Sequence, residues 1–417
     1  MPRLSLLLVL GVLSGLTGCR GNDPGAPPVP WSADMQAVAD GNNQFTFDLY
    51  AKLRDREKGN VFFSPYSAHT ALAMTATGAR GTTRDELVAV LHLPTDEQQA
   101  AAAGDLARYY AHPRKDYELS VANAIWGQKG FPWRPEFLAV QKDRFGSGLQ
   151  DADFATDPDG ERQRINKWAE EKTRDRIKEL ITPGLVTKTH RMVLANAIYF
   201  KGTWQSQFDP KKTTSLPFTL ADGTTVQAPM MRREGGFRHY AEFAPADQRA
   251  GRWEPEFQIA ELPYKGDELS MVVLVPGKHD GLPALETQLS ATALDGWLTK
   301  AQDANKTGLS LPKFRIETDA MMLKEPLQAL GMRRAFDPAG ADFSGMHTSA
   351  ETLFVDFVVQ KAFVDVNEEG TEAAAATAVG LAKTAAKLDF RADRPFLFLI
   401  RDTKRGTILF MGRVLKP

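Results

Sequence analysis

The spacing of apolar residues predicts that the folded part of the chain begins with helices. Residues 35–58 carry apolar side chains at three- and four-residue intervals, which is typical of a helix packed on one face. A second helix is predicted after Ser64, because serine is a preferred N-cap and Pro65 suits the first turn. In the next helix, Thr83 and Glu86 have the spacing of a capping box. We therefore expect three packed helices.

The rest of the chain alternates between helical and strand patterns. An amphipathic helix is predicted over residues 164–181, and hairpins are predicted to turn at residues 222–223 and 266–267, where Asp and Gly are adjacent. Continuous apolar runs, which predict buried strands, cover residues 191–204, 353–366, 395–400 and 407–415. No linker or internal repeat divides residues 35–417, so we expect one mixed α+β domain.

Composition narrows the classes of function. The 51 basic and 52 acidic residues leave a net charge of -1 and form no dense basic block, so nucleic acid is not an expected partner. The seven histidines are scattered, without the paired spacing of a metal site. The chain also lacks a GxSxG elbow, a P-loop and a dinucleotide-binding glycine motif. We therefore expect neither an enzyme nor a protein that needs a cofactor.

The first residues have the pattern of an export signal. Residues 1–18 contain one arginine followed by an apolar core that is too short to span a bilayer. The string LTGC ending at Cys19 resembles the lipobox of bacterial lipoproteins, in which the cysteine is lipidated. Residues 19–34 then form a Pro/Gly-rich tether. We expect an exported protein, held at a bacterial cell envelope by its lipid; the alternative is a plain secretory signal with an incidental cysteine.

One segment fits neither the helical nor the strand pattern. Residues 368–387, EEGTEAAAATAVGLAKTAAK, lie between two strongly apolar runs. Alanine favours helices, but a helix of this length needs an apolar stripe with which to pack, and this segment has none. Long loops inside a domain tend to be functional. The alanine-rich segment is therefore the main candidate for a functional site.

Several strings resemble the serpin family and occur in the family's order: NVFFSPYSAHTALAMTATGARGTTRDEL, ANAIYFKGTW, ELPYKGDELSMVVLVP, VDVNEEGTEAAAATA and FRADRPFLFLIRDTKRGTILFMGRV. The resemblance implies an α+β fold of three β-sheets and eight or nine helices, with an exposed reactive-centre loop. It also implies a monomeric inhibitor of serine proteases that acts as a suicide substrate. The protease cleaves the loop, the freed end inserts as a strand into the largest sheet, and the acyl-linked protease is distorted before hydrolysis.

The alanine-rich segment has the composition that strand insertion requires. Alternate residues counted from Thr371 would face the core after insertion, and none as far as Thr377 is charged, whereas Glu372 would point outward. Gly370 supplies a permissive backbone where the segment must enter the sheet in register. The hinge implied by the resemblance comprises Glu368, Gly370, Thr371, Glu372, Ala373, Ala374, Ala375, Ala376 and Thr377.

Loop length, compared with that of inhibitory serpins, implies a scissile bond between Thr384 and Ala385. Thr384 suits the primary pocket of elastase-like or subtilisin-like proteases, which are therefore the favoured targets. A register one residue shorter would present Lys383 to a trypsin-like protease. Leu381 is a third candidate for the cleaved residue.

The resemblance also implies a region where the sheet opens. Trp204 matches the family's tryptophan at the top of the sheet, and Glu368 matches its hinge glutamate. The polar cluster that helps hold the sheet shut corresponds to Ser64, Ser67 and Asn196. Gln360 stands where many serpins have a histidine, and a glutamine side chain can both donate and accept hydrogen bonds.

Two other functions compete with inhibition. One is a serpin that binds or chaperones without trapping proteases, and the other is a solute-binding lipoprotein, which would need a preformed ligand cleft. Heparin-responsive serpins carry a basic helix where this chain has residues 95–119. The charges there are few and scattered, so no heparin site is expected.

Overall fold

The computed structural model describes residues 29–97, 101–244, 254–371 and 388–417. Within these ranges lie nine α-helices: α1 (Ala33–Arg56), α2 (Pro65–Ala76), α3 (Gly81–Val90), α4 (Ala102–Ala111), α5 (Pro135–Phe145), α6 (Pro158–Lys172), α7 (Leu282–Thr287), α8 (Ala291–Lys300) and α9 (Lys324–Leu330). Short 3-10 helices cover Pro210–Lys212 and Arg334–Phe336.

The strands in these ranges are β1 (Val61–Phe63), β2 (Tyr117–Gln128), β3 (Gln150–Ala152), β4 (Met192–Thr203), β5 (Thr214–Thr219), β6 (Thr225–Glu234), β7 (Arg238–Glu242), β8 (Phe257–Pro263), β9 (Leu269–Pro276), β10 (Gln302–Asp303), β11 (Gly308–Pro312), β12 (Phe314–Glu317), β13 (Met321–Met322), β14 (Val358–Val366), β15 (Gly370–Thr371), β16 (Phe390–Arg391), β17 (Phe396–Asp402) and β18 (Ile408–Val414).

These strands form three β-sheets. The main sheet has the order β12-β14-β15-β4-β2-β3, with β13 also paired to β14. The second sheet has the order β1-β18-β17-β9-β8-β7-β10, and the third, of four strands, has the order β16-β11-β6-β5. The predicted hairpins are confirmed: Gly223 lies in the turn between β5 and β6, Gly266 lies between β8 and β9, and both have positive φ angles.

The main sheet lies between two apolar cores, which explains why β4 is apolar on both faces. Leu194 and Ile198 of β4 belong to the large core that the helices and the second sheet share. Val193, Ala195 and Ala197 point the other way, into a smaller core covered by α6. Strand residues alternate between the two faces of a sheet, so a strand that fills both cores is apolar at most of its positions on either face.

The three predicted helices at the start of the domain are confirmed, but the predicted capping box is wrong. Ser64 Oγ accepts the N–H of Ser67 at the start of α2. In α3, however, the helix already begins at Gly81, so Thr83 lies inside its first turn. Thr83 Oγ1 accepts the N–H of Asp342 at 2.9 Å, and Glu86 accepts the N–H groups of residues 333 and 334. Both side chains therefore accept hydrogen bonds from the backbone of a neighbouring segment and not from their own helix.

The helix predicted over residues 164–181 is shorter in the structure. α6 ends at Lys172, because Thr173 Oγ1 donates to the carbonyl of Ala169 and accepts the N–H of Ile177. The next residue, Arg174, has a left-handed φ of 51°. Ile177 is fully buried, but in the turns that follow the helix. Its apolar spacing reflects packing on the sheet and not helix continuation.

The folded unit begins slightly earlier than residue 35. Ser32 is the N-cap of α1 and accepts the N–H of Met35 at 3.1 Å, and the ring of Trp31 packs edge-on against Tyr109 with centroids 5.0 Å apart. The last residues of the predicted tether are therefore part of the domain. Residues 1–28, with the predicted export signal and Cys19, lie outside the described ranges.

Candidate functional site: the hinge and the seam of the main sheet

The candidate site is the line along which β4 and β14 meet, here called the seam. The two strands pair directly and in parallel from Val358 opposite Leu194 to Ala362 opposite Ile198. Above this pairing they are separated by the two-residue strand β15, whose Thr371 lies opposite Val366 of β14 and Gly202 of β4. The segment that follows β14 has thus already entered the top of the main sheet.

The registers on the two sides of the seam agree. Thr371 lies opposite both Gly202 and Val366, so a strand continuing eight positions further would lie opposite Leu194 and Val358. These two residues already face each other in the parallel pair. A strand extending from Thr371 could therefore enter the seam without a shift in register, and a one-residue shift would turn every side chain to the wrong face.

Gly370 is required here by space and not by a special backbone angle. A Cβ at this position would lie 2.0 Å from the carbonyl oxygen of Gly202. The φ of Gly370 lies outside the left-handed region, so the conformational freedom predicted from the sequence is not the reason for the glycine. The reason for the glycine is the close approach of the two backbones, which leaves no room for a Cβ.

Thr371 is anchored by a tyrosine that the sequence reasoning missed. Its Oγ1 lies 2.6 Å from the hydroxyl of Tyr264, and both residues are buried. Burial raises the pKa of Tyr264 well above its usual value, so the group remains a neutral hydroxyl. The Tyr264 ring stacks on Trp204 at 4.6 Å, and Trp204 Nε1 donates to the carbonyl oxygen of Asn367 at 3.0 Å. Trp204 therefore lies beside the end of β4 and contacts the hinge directly.

Glu368 is held by two side chains from neighbouring segments. Thr213 Oγ1 donates to its carboxylate at 2.8 Å, and Lys313 Nζ lies 2.9 Å from the other carboxylate oxygen. Burial acts to raise the pKa of Glu368, but the hydrogen bonds from Lys313 and Thr213 outweigh it and hold the pKa below its usual value. The structure places Glu368 at the entrance to the seam, and it adds Thr213 and Lys313 to the predicted set.

The four residues of the predicted polar cluster lie together beneath the seam. Gln360 Oε1 accepts the N–H of Ser64, and its Nε2 donates to the Ser64 carbonyl and to Asn196 Oδ1 at 2.9 and 2.6 Å. Asn196 in turn donates to Ser67 Oγ. The cluster therefore links both strands of the seam to the start of α2.

A fifth member, Asn123 of β2, was missed by the sequence reasoning. Its Oδ1 accepts from Ser67 Oγ at 2.9 Å and from Asn196 Nδ2. The signal was present, because the string ANAI occurs at residues 122–125 and again at 195–198. β2 and β4 pair with Asn123 opposite Asn196, so the repeated string places two amides side by side.

Gln360 satisfies its amide completely in the position where the resemblance implied a histidine. Both its oxygen and its nitrogen have hydrogen-bond partners, and the side chain is buried. A buried, fully paired amide stabilises a closed arrangement, and it carries no titratable proton. This part of the seam is therefore insensitive to pH.

The remaining predicted site residues lie outside the described ranges and stay predictions: Glu372, Ala373, Ala374, Ala375, Ala376, Thr377, Leu381, Lys383, Thr384 and Ala385. Among the described residues, no three His, Cys, Asp or Glu side chains are grouped so as to hold a metal ion. No helix in the same ranges is both long and apolar enough to cross a membrane.

Comparison with known proteins gives the family. A family model described as serpin (serine protease inhibitor) matches residues 40–417, so the chain belongs to the serpin family. An uncharacterized serpin-like protein of Thermococcus kodakarensis is 39% identical over 390 residues, covering 91% of this chain and 86% of that protein. The human leukocyte elastase inhibitor is 36% identical over 394 residues, covering 92% of this chain and 100% of that protein.

The fold is also shared with solved structures. The crystal structure of human thyroxine-binding globulin complexed with thyroxine matches with a TM-score of 0.82 at 28% identity, covering 92% of this chain and 100% of that one. The α+β serpin fold with three β-sheets is therefore confirmed.

Proposed function

We propose that this serpin inhibits serine-type endopeptidases as a suicide substrate. The observation that carries the proposal is the seam itself: a hinge already between β4 and β14, and registers that agree from Thr371 down to Leu194 and Val358. The similarity to the leukocyte elastase inhibitor supports the same conclusion.

The chemistry is supplied by the protease. Its serine oxygen attacks the carbonyl carbon of Thr384, the bond to the nitrogen of Ala385 breaks, and the new amine leaves with a proton. The Thr384 acyl group stays bound to the serine as an ester. Insertion of the freed strand then carries the protease along the sheet before water can hydrolyse the ester. The inhibitor itself contributes no catalytic residue to these steps.

The side chains that would enter the seam are compatible with both water and the core. Thr371 is already buried, with its hydroxyl oxygen 2.6 Å from that of Tyr264. The residues two, four and six positions further along the chain are Ala, Ala and Thr, which would follow Thr371 on the same face. None of them carries a charge that burial would penalise.

The favoured targets are elastase-like and subtilisin-like proteases, because Thr384 presents a small β-branched side chain to the primary pocket. Cleavage after Lys383 by a trypsin-like protease is the alternative. The two bonds are distinguished by the released C-terminal fragment, which would begin at Ala385 in the first case and at Thr384 in the second. N-terminal sequencing of that fragment identifies the bond.

The test of the proposed function is a stable adduct. The purified domain is incubated with an elastase-like, a subtilisin-like and a trypsin-like protease, and the products are boiled in SDS and separated on a gel. We expect a covalent band at the combined mass with at least one of them, and none when the protease serine has been blocked beforehand. Complete cleavage without any adduct would contradict inhibition.

A second candidate function is non-inhibitory binding of a small molecule. The observation that favours it is the similarity to thyroxine-binding globulin, whose structure holds thyroxine. A serpin of this kind would be cleaved by proteases without forming an adduct. The adduct test therefore separates the two candidates.

We further propose that the protein acts at a bacterial cell envelope, on its periplasmic or outer side, held by a lipid on Cys19. The support comes from the sequence alone: residues 1–18 have the pattern of a lipoprotein signal, and a tether follows. A Cys19→Ser variant should be released into the soluble fraction, whereas the wild type should sediment with membranes. Equal partition of the two proteins would contradict the anchor.

A further inference from the structure

An Arg–Glu ion pair and a His–Asp contact join the segments that lead into β4 and β14, at the lower end of the seam. His190 Nε2 lies 3.9 Å from Asp356 Oδ2, and Arg191 Nε lies 3.2 Å from Glu351 Oε2. His190 and Arg191 immediately precede β4, whereas the two carboxylates precede β14. Each pair therefore has one member on either side of the seam, and the four residues are here called the lower ion pairs.

The side chains of His190 and Arg191 are both fixed by their own segment. Arg191 Nη1 donates to the carbonyl oxygens of residues 188, 189 and 190, each at 3.2 Å. His190 Nδ1 accepts the N–H of Thr187 at 3.0 Å, and its Nε2 faces Asp356. Neither side chain is free to follow its partner if the strands separate.

Two further side chains, those of Lys324 and Phe357, pack around Asp356 and His190. Lys324 Nζ donates to its carbonyl oxygen at 3.3 Å, and the ring of Phe357 packs edge-on against His190 with centroids 5.5 Å apart. Burial raises the pKa of Asp356 above its usual value, although the charges of His190, Lys324 and Arg191 act to lower it. The His190–Asp356 contact is thus largely buried and is screened less than a contact in open solvent, whereas Glu351 is 63% exposed and its pair with Arg191 is screened more strongly.

Complete strand insertion would have to open this end of the seam. In the register set by Thr371 opposite Gly202, Lys383, twelve positions further, would come level with His190. Neighbouring strands lie about 4.8 Å apart, so a strand inserted between β4 and β14 roughly doubles their separation. Both lower ion pairs would then be lost.

We propose that the lower ion pairs restrain opening of the seam and so set the rate of strand insertion. The polar cluster higher in the seam consists of neutral side chains, whereas the lower ion pairs bring charged side chains to contacts that cross it. The inference rests on the proposed inhibitory function, because slower insertion gives water more time to hydrolyse the acyl-enzyme. The pairs would thereby raise the number of inhibitor molecules consumed for each protease trapped.

The test removes the negative charges with little change of shape, in a Glu351→Gln, Asp356→Asn double variant. Glu317→Gln is the matched control, because the Arg315–Glu317 pair has the same 3.2 Å separation as Arg191–Glu351 but lies along β12 and does not cross the seam. Uptake of a synthetic peptide with the sequence of residues 371–383 is followed on native gels. We expect the double variant to take up the peptide about fivefold faster at low salt, and the control to match the wild type.

Equal rates of uptake in the double variant and the wild type would overturn the proposal. If the wild type takes up no peptide and traps no protease, the inhibitory function fails, and amide hydrogen exchange at residues 358–362 decides this inference separately. Faster exchange in the double variant than in the Glu317→Gln protein would then support the restraint. Equal exchange in the two proteins would overturn it.

Discussion

Replacing Thr371 with Arg should convert the inhibitor into a substrate. Thr371 is 1% exposed, and its hydroxyl lies 2.6 Å from that of Tyr264, with the Tyr264 ring stacked on Trp204 behind it. No carboxylate contacts Thr371 in the described part of the chain, so an arginine there would have no counter-ion. The hinge of the variant would therefore stay outside the sheet.

The structure gives the size of the effect. An unpaired charge at a fully buried position costs several kcal/mol, and each 1.4 kcal/mol slows a step about tenfold. Insertion of the hinge would therefore be slowed by about 10²- to 10³-fold. Hydrolysis of the acyl-enzyme involves the protease and water alone, so its rate is unchanged. Hydrolysis would then precede insertion in nearly every encounter.

The assay counts how many inhibitor molecules are consumed for each protease molecule trapped. Wild-type protein should approach one, whereas Thr371→Arg should be cleaved completely with no SDS-stable adduct. Thr371→Val is the control, because it keeps the shape, adds no charge and loses only the hydrogen bond to Tyr264, so it should still trap protease. If Thr371→Arg traps protease as well as the wild type, the reasoning about insertion is wrong.

Three further predictions concern the hinge and the seam. Gly370→Ala should prevent β15 from forming, because its Cβ would lie 2.0 Å from a backbone oxygen, and hydrogen exchange at Gly202 should become faster; unchanged exchange would contradict this. Gln360→His buries an imidazole whose charged form is disfavoured, so its folded pKa lies below about 6.5, and the variant should lose thermal stability relative to wild type as pH falls through that value. The pKa of Glu368 is lowered on folding, so its carboxylate stabilises the folded protein above the unfolded pKa of about 4.3, and this stabilisation is lost as pH falls. Glu368→Gln should therefore weaken the loss of thermal stability at acidic pH, as measured by melting curves.

The order of helices and strands could be predicted from the sequence because the responsible signals are local. A serine before a proline gives the start of α2, and a predominantly apolar run gives β4 between two cores. The helix ends could not be predicted in the same way. Thr83 and Glu86 have a local spacing that suggests one role, yet they bind the backbone of residues 333–342, which no local pattern reveals.

The candidate site was predicted in part, through residues that resemble the family. Trp204, Glu368 and the polar cluster lie together at the seam, but their partners come from distant segments. Tyr264 directly follows β8 and Lys313 directly follows β11, and no local pattern in the sequence marks either residue. Only the pairing of strands brings them to the hinge. Asn123 was predictable in principle from the repeated ANAI string, because like strings on paired strands can lie opposite each other.

The central claim is that the intact fold has a main sheet ready to accept one more strand. The incoming side chains are small and bury little apolar surface, so the energy released must come from filling the seam. The most direct measurement is the melting temperature of the protein before and after a single cut in residues 372–387. We expect the cut protein to melt far above the intact protein, with residues from Thr371 onward protected from hydrogen exchange between β4 and β14. Equal melting temperatures, with that segment unprotected, would contradict the claim.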